Sequence, residues 1–400
     1  MSRPRLALLC NFRAEASPSM QVCGDQLFEA LRHGHPEFCT ERLQPVYRAV
    51  LSSPPQGRRL RKLTTGADKM LNRYIVYPRF LRQRAGRFDL FHICDHSYAS
   101  LVHHLPADRV GVLCHDVDVF RSVFQPKLYP RSPRYNAMQR HALAGLAKVA
   151  IVFHTTGQVK EDLLRFDLVA EDRLVQVPLG VHPSFLLEAG GQTGAEAFSR
   201  QPQNVVRQAV GDRPFLLNVS GTLPRKRLEV LLRSFALLRR ERPDLMLVRV
   251  GPDWTAAQKH LIASLNLEDE LRRIPRLEQA ELVAFYKAAR AVLMTSDSEG
   301  FGMPLIEALA SGAVAVVSDI PVFHEVADDA AIYCPVGEPE AWARTLAALL
   351  SDPSLAPPLQ RRLQQVEGFT WSAHAAGIAE AYQRRILERL MPATSGASLR

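Results

Sequence analysis

Two glutamates, Glu299 and Glu307, are separated by seven residues in the run Ser296-Asp297-Ser298-Glu299-Gly300-Phe301-Gly302-Met303-Pro304-Leu305-Ile306-Glu307. Between them lie two glycines and a proline. Gly300 and Gly302 let a ligand approach the backbone closely. Pro304 suits the start of a helix, because its missing N–H costs nothing there. The amides of Gly302 and Met303 then sit at a helix N-terminus, where unpaired donors and the dipole favour an anion. Glu299 stands at the mouth of that turn. Glu307 falls about one turn into the helix, where its carboxylate can accept two hydrogen bonds from a vicinal diol such as a ribose. Two carboxylates flanking a phosphate cradle describe a nucleotide-sugar site. Two competing readings apply to the same run. A lone glutamate is most often a solvated loop or helix acid. Gly300-x-Gly302 also begins a dinucleotide fingerprint with Asp319 as ribose acid, but Leu305 stands where that motif wants its third glycine.

The elements around this run must place it at a sheet edge. Ala291–Met294 and Ala313–Val317 are continuous apolar runs that predict buried strands on either side of the turn and its helix. Strand, turn, helix and strand in that order form one unit of a parallel sheet, with the turn at the carboxyl end of a strand. A second polar turn follows the predicted strand Pro214–Val219. It reads Ser220-Gly-Thr-Leu-Pro-Arg225-Lys226-Arg and leads into the predicted helix Leu228–Arg240. Arg225 and Lys226 at a helix start oppose the helix dipole, so their presence there argues for an anion such as a diphosphate.

The run Ser298–Glu307 resembles the signature of the family 4 retaining glycosyltransferases, with Gly-Phe-Gly-x-Pro between two glutamates. That resemblance implies the GT-B fold: α/β, two Rossmann-like doubly wound parallel-sheet domains facing across a cleft. It implies a donor site of Arg225, Lys226, Leu277, Gly300, Phe301, Gly302, Met303 and Glu307, with Leu277 near the nucleotide base. It implies catalytic roles at the donor sugar for Glu299 and for His115, which ends the predicted strand Val110–His115 in a His115-Asp116 pair. Thr222 departs from the family, where arginine is common, and the first loop, Asn11–Gly24, carries only Gly24 where the family often has a glycine pair. The expected activity is transfer of a hexosyl unit from a UDP- or GDP-sugar to an acceptor hydroxyl. No cofactor and no metal is expected, since Asp116-Val-Asp118 is only a formal Asp-x-Asp and the basic pair supplies the positive charge. Alternatives are an epimerase or phosphorylase on the same fold, and a membrane- or polymer-binding protein with a degenerate nucleotide site.

The expected organisation is an acceptor-side domain at 1–187, a linker at 188–212, a nucleotide-sugar domain at 213–368, and a final helix at 369–392 that returns to the first domain. Strands are predicted at Arg5–Cys10, Phe88–Ile93, Val149–Phe153 and Leu174–Pro178, with helices at Gln21–Arg32, Asn136–Ala147 and Thr156–Arg165. No apolar run reaches membrane-spanning length. The first residues read better as a strand than as a signal peptide. Six cysteines without metal spacing, Cys10, Cys23, Cys39, Cys94, Cys114 and Cys334, suggest reduced thiols and a cytoplasmic protein. His92, Asp95, His96, His103, His104 and His115 crowd one stretch. His92 and His96 have a helical metal spacing, but His92 falls in a strand, so a structural role is expected.

The formal charge is +9. Residues 1–187 hold 26 basic against 16 acidic residues, so the excess lies in the first half. Ten basic residues fall within Gly57–Arg87 beside a single acid, Asp68. Tyr74, Tyr77 and Phe80 are interleaved. Such a stretch suits an anionic or lipid-linked acceptor, or peripheral attachment to an anionic membrane. The competing reading is a helix that packs its apolar side on the sheet and solvates its basic side. No nucleic-acid-binding module is recognisable.

Overall fold

The computed structural model describes residues 3–15, 18–52, 58–186 and 201–388. The chain forms two units. One comprises residues 1–179 and 371–400, the other residues 180–370.

The first unit is built on a six-stranded parallel sheet. Its strands are β1 (Arg5–Leu9), β2 (Cys39–Leu43), β3 (Leu90–Ile93), β4 (Val110–Cys114), β5 (Ile151–His154) and β6 (Leu174–Gln176), in the order β2-β1-β3-β4-β5-β6. β1, β3, β4 and β5 are buried along almost their whole length, as the apolar runs require of a sheet covered on both faces. β2 is mostly half-exposed and reads Cys-Thr-Glu-Arg-Leu, an edge strand without an apolar run, which the sequence reading missed. The helix Trp371–Tyr382 belongs to this unit and packs beside Pro18–Gly34. The hydroxyl of Tyr382 donates to the carbonyl of Phe91 at 2.8 Å. Gly111 in β4 makes room for that ring: a Cβ there would lie 2.5 Å from the tyrosine oxygen.

The basic segment is not a surface amphipath throughout. Arg58–Leu71 is a helix that widens into a π turn at Asn72–Val76 and continues as Tyr77–Arg82. Tyr77 is fully buried, and its hydroxyl, within reach of the carbonyls of both Cys10 and Leu43, shares its one proton between them. Tyr77, one of the interleaved aromatics, is therefore held by the core and does not reach the surface that the basic stretch would offer a membrane. Asp68, the one acid, is buried and accepts from the amides of Val50, Leu51 and Ser52. Asn72 anchors the same loop through Arg48. Arg73 pairs with Glu15 and lies over the Tyr98 ring. Arg79, Arg82 and Arg87 remain exposed.

The second unit repeats the plan. Its strands are β7 (Phe215–Val219), β8 (Met246–Val250), β9 (Leu271–Ile274), β10 (Ala291–Met294), β11 (Ala315–Ser318) and β12 (Ile332–Cys334), in the order β12-β11-β10-β7-β8-β9, all parallel. Leu231, Leu232 and Phe235 of the helix Leu228–Leu238 pack with Trp342 and Leu346 of Pro339–Ser351 on one side of the sheet. The chain enters this unit at Gly180. Val181 pairs with Thr370 in an isolated parallel bridge, and its amide donates to the carbonyl of Phe369 at 2.8 Å. Of the expected linker at 188–212, residues up to 200 lie outside the described residues. Gln201–Val210 is a helix packed against Gln279–Ala288, because Val205, Val206 and Val210 recur at helical spacing. The tail beyond Pro392 also lies outside the described residues.

Candidate active site

β10 ends at Met294, and the loop that follows runs to the helix Met303–Ala310. Gly302 caps that helix with φ +90°. A Cβ at Gly302 would meet the Phe323 ring at 2.9 Å, so both conformation and space demand glycine. Met303 is the first helical residue and Pro304 the second, one place later than the sequence suggested. Phe301 is buried and meets Phe369 edge-on at 5.6 Å, so its ring belongs to the packing and only its backbone can face a ligand.

The β7 loop reaches this turn. Pro224–Lys226 form a single 3-10 turn, and Arg227, at φ +46°, caps the helix Leu228–Leu238. Arg225 and Lys226 therefore precede the helix rather than open it. Backbone bonds join the two loops. The Asp297 amide donates to the Arg225 carbonyl at 2.9 Å, and the Thr295 hydroxyl donates to the Lys226 carbonyl at 2.9 Å.

These contacts bring both cations onto one carboxylate. Arg225 donates to Glu299 Oε2 at 2.6 Å and to the Ser298 carbonyl at 2.8 Å. Lys226 pairs with Glu299 Oε1, which also accepts from the Ser296 hydroxyl at 2.7 Å. Glu299 is buried. Burial alone would raise its pKa, but the two cations and the hydrogen bonds outweigh it and hold the carboxyl at about 2. Glu299 is thus a carboxylate at any physiological pH and has no proton to give.

Glu307 is in the opposite state. It lies on the second turn of Met303–Ala310, half-buried, and its Oε2 accepts from the Tyr286 hydroxyl at 2.8 Å. Burial pushes its pKa up to about 7, against the lowering effect of that hydrogen bond. Tyr286 is fully buried on the helix Gln279–Ala288, and Leu277 lies half-exposed just ahead of that helix. Neither Tyr286 nor Ser296 was found from the sequence. Tyr286 sits in an ordinary helical apolar pattern, and nothing in its spacing marks a polar partner.

His115 lies in the first unit, at the carboxyl end of β4. It is buried, and its Nε2 donates to the Cys94 carbonyl at 2.9 Å. Burial lowers its pKa, so the ring is neutral. Neighbouring His92 is fully buried in β3 and hydrogen-bonds the Tyr382 hydroxyl at 3.2 Å. Among the described residues no group of histidines, cysteines or carboxylates could hold a metal ion, and no helix is long and apolar enough to cross a membrane.

Two doubly wound parallel sheets, one carrying a glycine-capped helix start after a strand end, define the architecture, and solved structures identify the fold. Sucrose-phosphate synthase from Thermosynechococcus elongatus superposes with a TM-score of 0.73 at 18% identity, covering 97% of this chain and 100% of that one. The Anabaena HepE protein in complex with UDP gives 0.64 at 15% identity, covering 95% and 99%. The fold is that of the GT-B glycosyltransferases. Residues 199–366 match the family described as Glycosyl transferases group 1. A D-inositol 3-phosphate glycosyltransferase of Kineococcus radiotolerans is 30% identical over 246 residues, 56% of this chain and 55% of that protein. The chain thus spans about half the length of that relative.

Proposed function

We propose that this chain transfers a hexosyl unit from a nucleoside-diphosphate sugar, UDP- or GDP-linked, to an acceptor hydroxyl, with retention at the anomeric carbon and without a metal ion. The observation that carries this reading is the joining of Arg225, Lys226 and Glu299 beside the Gly302-capped helix. The two cations are held where an anion would meet both them and the helix N-terminus. Binding of a diphosphate there places three sources of positive potential on the group that gains charge as the glycosidic bond breaks. Electrostatic stabilisation of that kind is usually the largest catalytic contribution. Glu299, already ionised, aims the two cations and offers its carboxylate to the donor sugar hydroxyls. Glu307 holds the ribose diol, and the base lies by Leu277. The UDP held by the HepE structure suits this reading.

The test is a thermal-shift screen of UDP-, GDP- and ADP-sugars, followed by turnover with the donor that binds. One donor class should raise the melting temperature, because a ligand selective for the native state stabilises it. Release of nucleoside diphosphate should depend on acceptor. Lys226→Ala should lower kcat by roughly two orders of magnitude, as loss of one transition-state donor does elsewhere. Nucleotide-sugar turnover without any acceptor-dependent transfer would point to an epimerase, and sugar phosphate formed from a glycoside and inorganic phosphate would point to a phosphorylase. No shift with any nucleotide sugar would overturn the reading.

A further inference from the structure

In the first unit the carboxyl ends of three adjacent strands, β1, β3 and β4, bring Asn11, Asp95, His96 and His115 together. All four are more than nine-tenths buried. Three of their polar atoms have no hydrogen-bond partner: Asn11 Oδ1, His96 Nε2 and His115 Nδ1. Buried polar atoms are normally satisfied, and each orphan costs free energy. Three at one sheet edge, where parallel α/β sheets bind ligands, mark a place that a ligand completes.

The contacts fix what each orphan can do. The Asn11 amide nitrogen donates to Asp95 Oδ2 at 2.5 Å, so Oδ1 is a bare acceptor. His115 Nε2 faces the Cys94 carbonyl and must carry the proton, so Nδ1 is a second bare acceptor. His96 Nδ1 accepts from the His115 amide at 3.3 Å, so the ring proton sits on Nε2, a donor 3.9 Å from Asp116. The nest therefore offers two acceptors and one donor. Asp95 adds a negative charge, and burial fails to neutralise it because His96, His115, Asn11 and the Ser97 amide hold its pKa below the ordinary value. An ionised phosphate only accepts, so it would leave both acceptors unmet and would face a like charge. An ammonium only donates, so it would leave His96 unmet. A hydroxyl does both.

We propose that Asn11, Asp95 and His96, with His115, form a hydroxyl-binding subsite that takes an uncharged polyol face of the acceptor and rejects a phosphate at that position. Asp95 acts through Asn11: its carboxylate fixes which end of the amide faces the ligand. This inference rests on the glycosyltransferase reading above.

Asp95→Asn tests it with little change of shape. The Asn11 amide is then free to turn over and present its nitrogen. In the full chain, with the donor identified by the screen, transfer is measured to methyl glucoside, methyl mannoside and myo-inositol and to their monophosphates. The expected result is a rise of at least tenfold in KM for the uncharged acceptors. The KM for donor and the donor-induced thermal shift should stay unchanged, and discrimination against the monophosphates should fall. Asn11→Ala should raise the same KM without restoring the monophosphates. Unchanged acceptor KM in both variants, while wild type transfers, would overturn the subsite and leave the glycosyltransferase reading standing. Wild type that transfers to monophosphates in preference to the uncharged polyols would overturn it as well. If Asp95→Asn fails to fold, Asn11→Ala and the wild-type acceptor preference decide.

Discussion

If Glu307 grips the ribose diol, donor binding must couple to its ionisation. A carboxylate accepts two hydroxyl protons, whereas a carboxylic acid has lost half of that capacity. With the group titrating near pH 7, the carboxylate is present in about one molecule in eleven at pH 6 and about ten in eleven at pH 8. Affinity for a nucleotide sugar should therefore rise about tenfold between those values, or about 1.4 kcal/mol. The intact sugar nucleotide is the right ligand, since its diphosphate is esterified at both ends and has no group titrating there. Isothermal titration at pH 6, 7 and 8 measures the change, and at pH 6 the heat should vary with buffer because binding expels a proton. Glu307→Gln should bind more weakly, by about ten- to a hundredfold for loss of one or two charge-assisted bonds, and show no pH dependence. Tyr286→Phe removes the hydrogen bond that favours the ionised form, so the midpoint should move above 7. The sign for folding is the reverse. A carboxyl whose native pKa lies above its unfolded value contributes stability below pH 4.5 that is lost as pH rises through 7. The free protein should therefore lose stability over that range, and the thermal shift given by donor should be larger at pH 8 than at pH 6. Equal wild-type affinity at pH 6 and pH 8 would refute this role for Glu307.

Three other outcomes are expected. Gly302→Ala places a Cβ 2.9 Å from Phe323 at φ +90°, a strain of about 1–3 kcal/mol; it should lower the melting temperature by several degrees and weaken donor binding, and an unaltered protein would remove the demand for glycine. Activity should survive EDTA because Arg225 and Lys226 carry the cationic role; complete loss restored by Mg²⁺ or Mn²⁺ would assign that role to a metal instead. Attachment to anionic vesicles through Arg79, Arg82 and Arg87 should be weak and fall steeply with salt, at about 1 kcal/mol per engaged side chain. Charge reversal at all three should abolish co-sedimentation, and binding unaffected by salt or by that reversal would rule out this electrostatic face.

Central strands were legible because parallel sheets covered on both faces write themselves as apolar runs. Ala291–Met294 and Val110–Cys114 are such runs, and both are buried throughout. β2 was not legible, since an edge strand need bury little and Cys-Thr-Glu-Arg-Leu carries no period. In the candidate site, residues whose type is forced by backbone geometry or formal charge stood out, as Gly302, Arg225, Lys226 and the two glutamates did. Their partners did not. Ser296 and Tyr286 act only through which carboxylate they reach, and that is set by tertiary packing between a loop and two helices. The first unit shows the limit most clearly. Asn11, Asp95 and His115 are separated by tens of residues in sequence, and only the β1-β3-β4 order makes them neighbours. Hydrogen-bond polarity then does what spacing could not. It divides the free atoms of Asn11, His115 and the adjoining His96 into two acceptors and a donor, and on the proposed reading that division, more than the overall positive charge of this half of the chain, determines which acceptor chemistry the strand ends can hold.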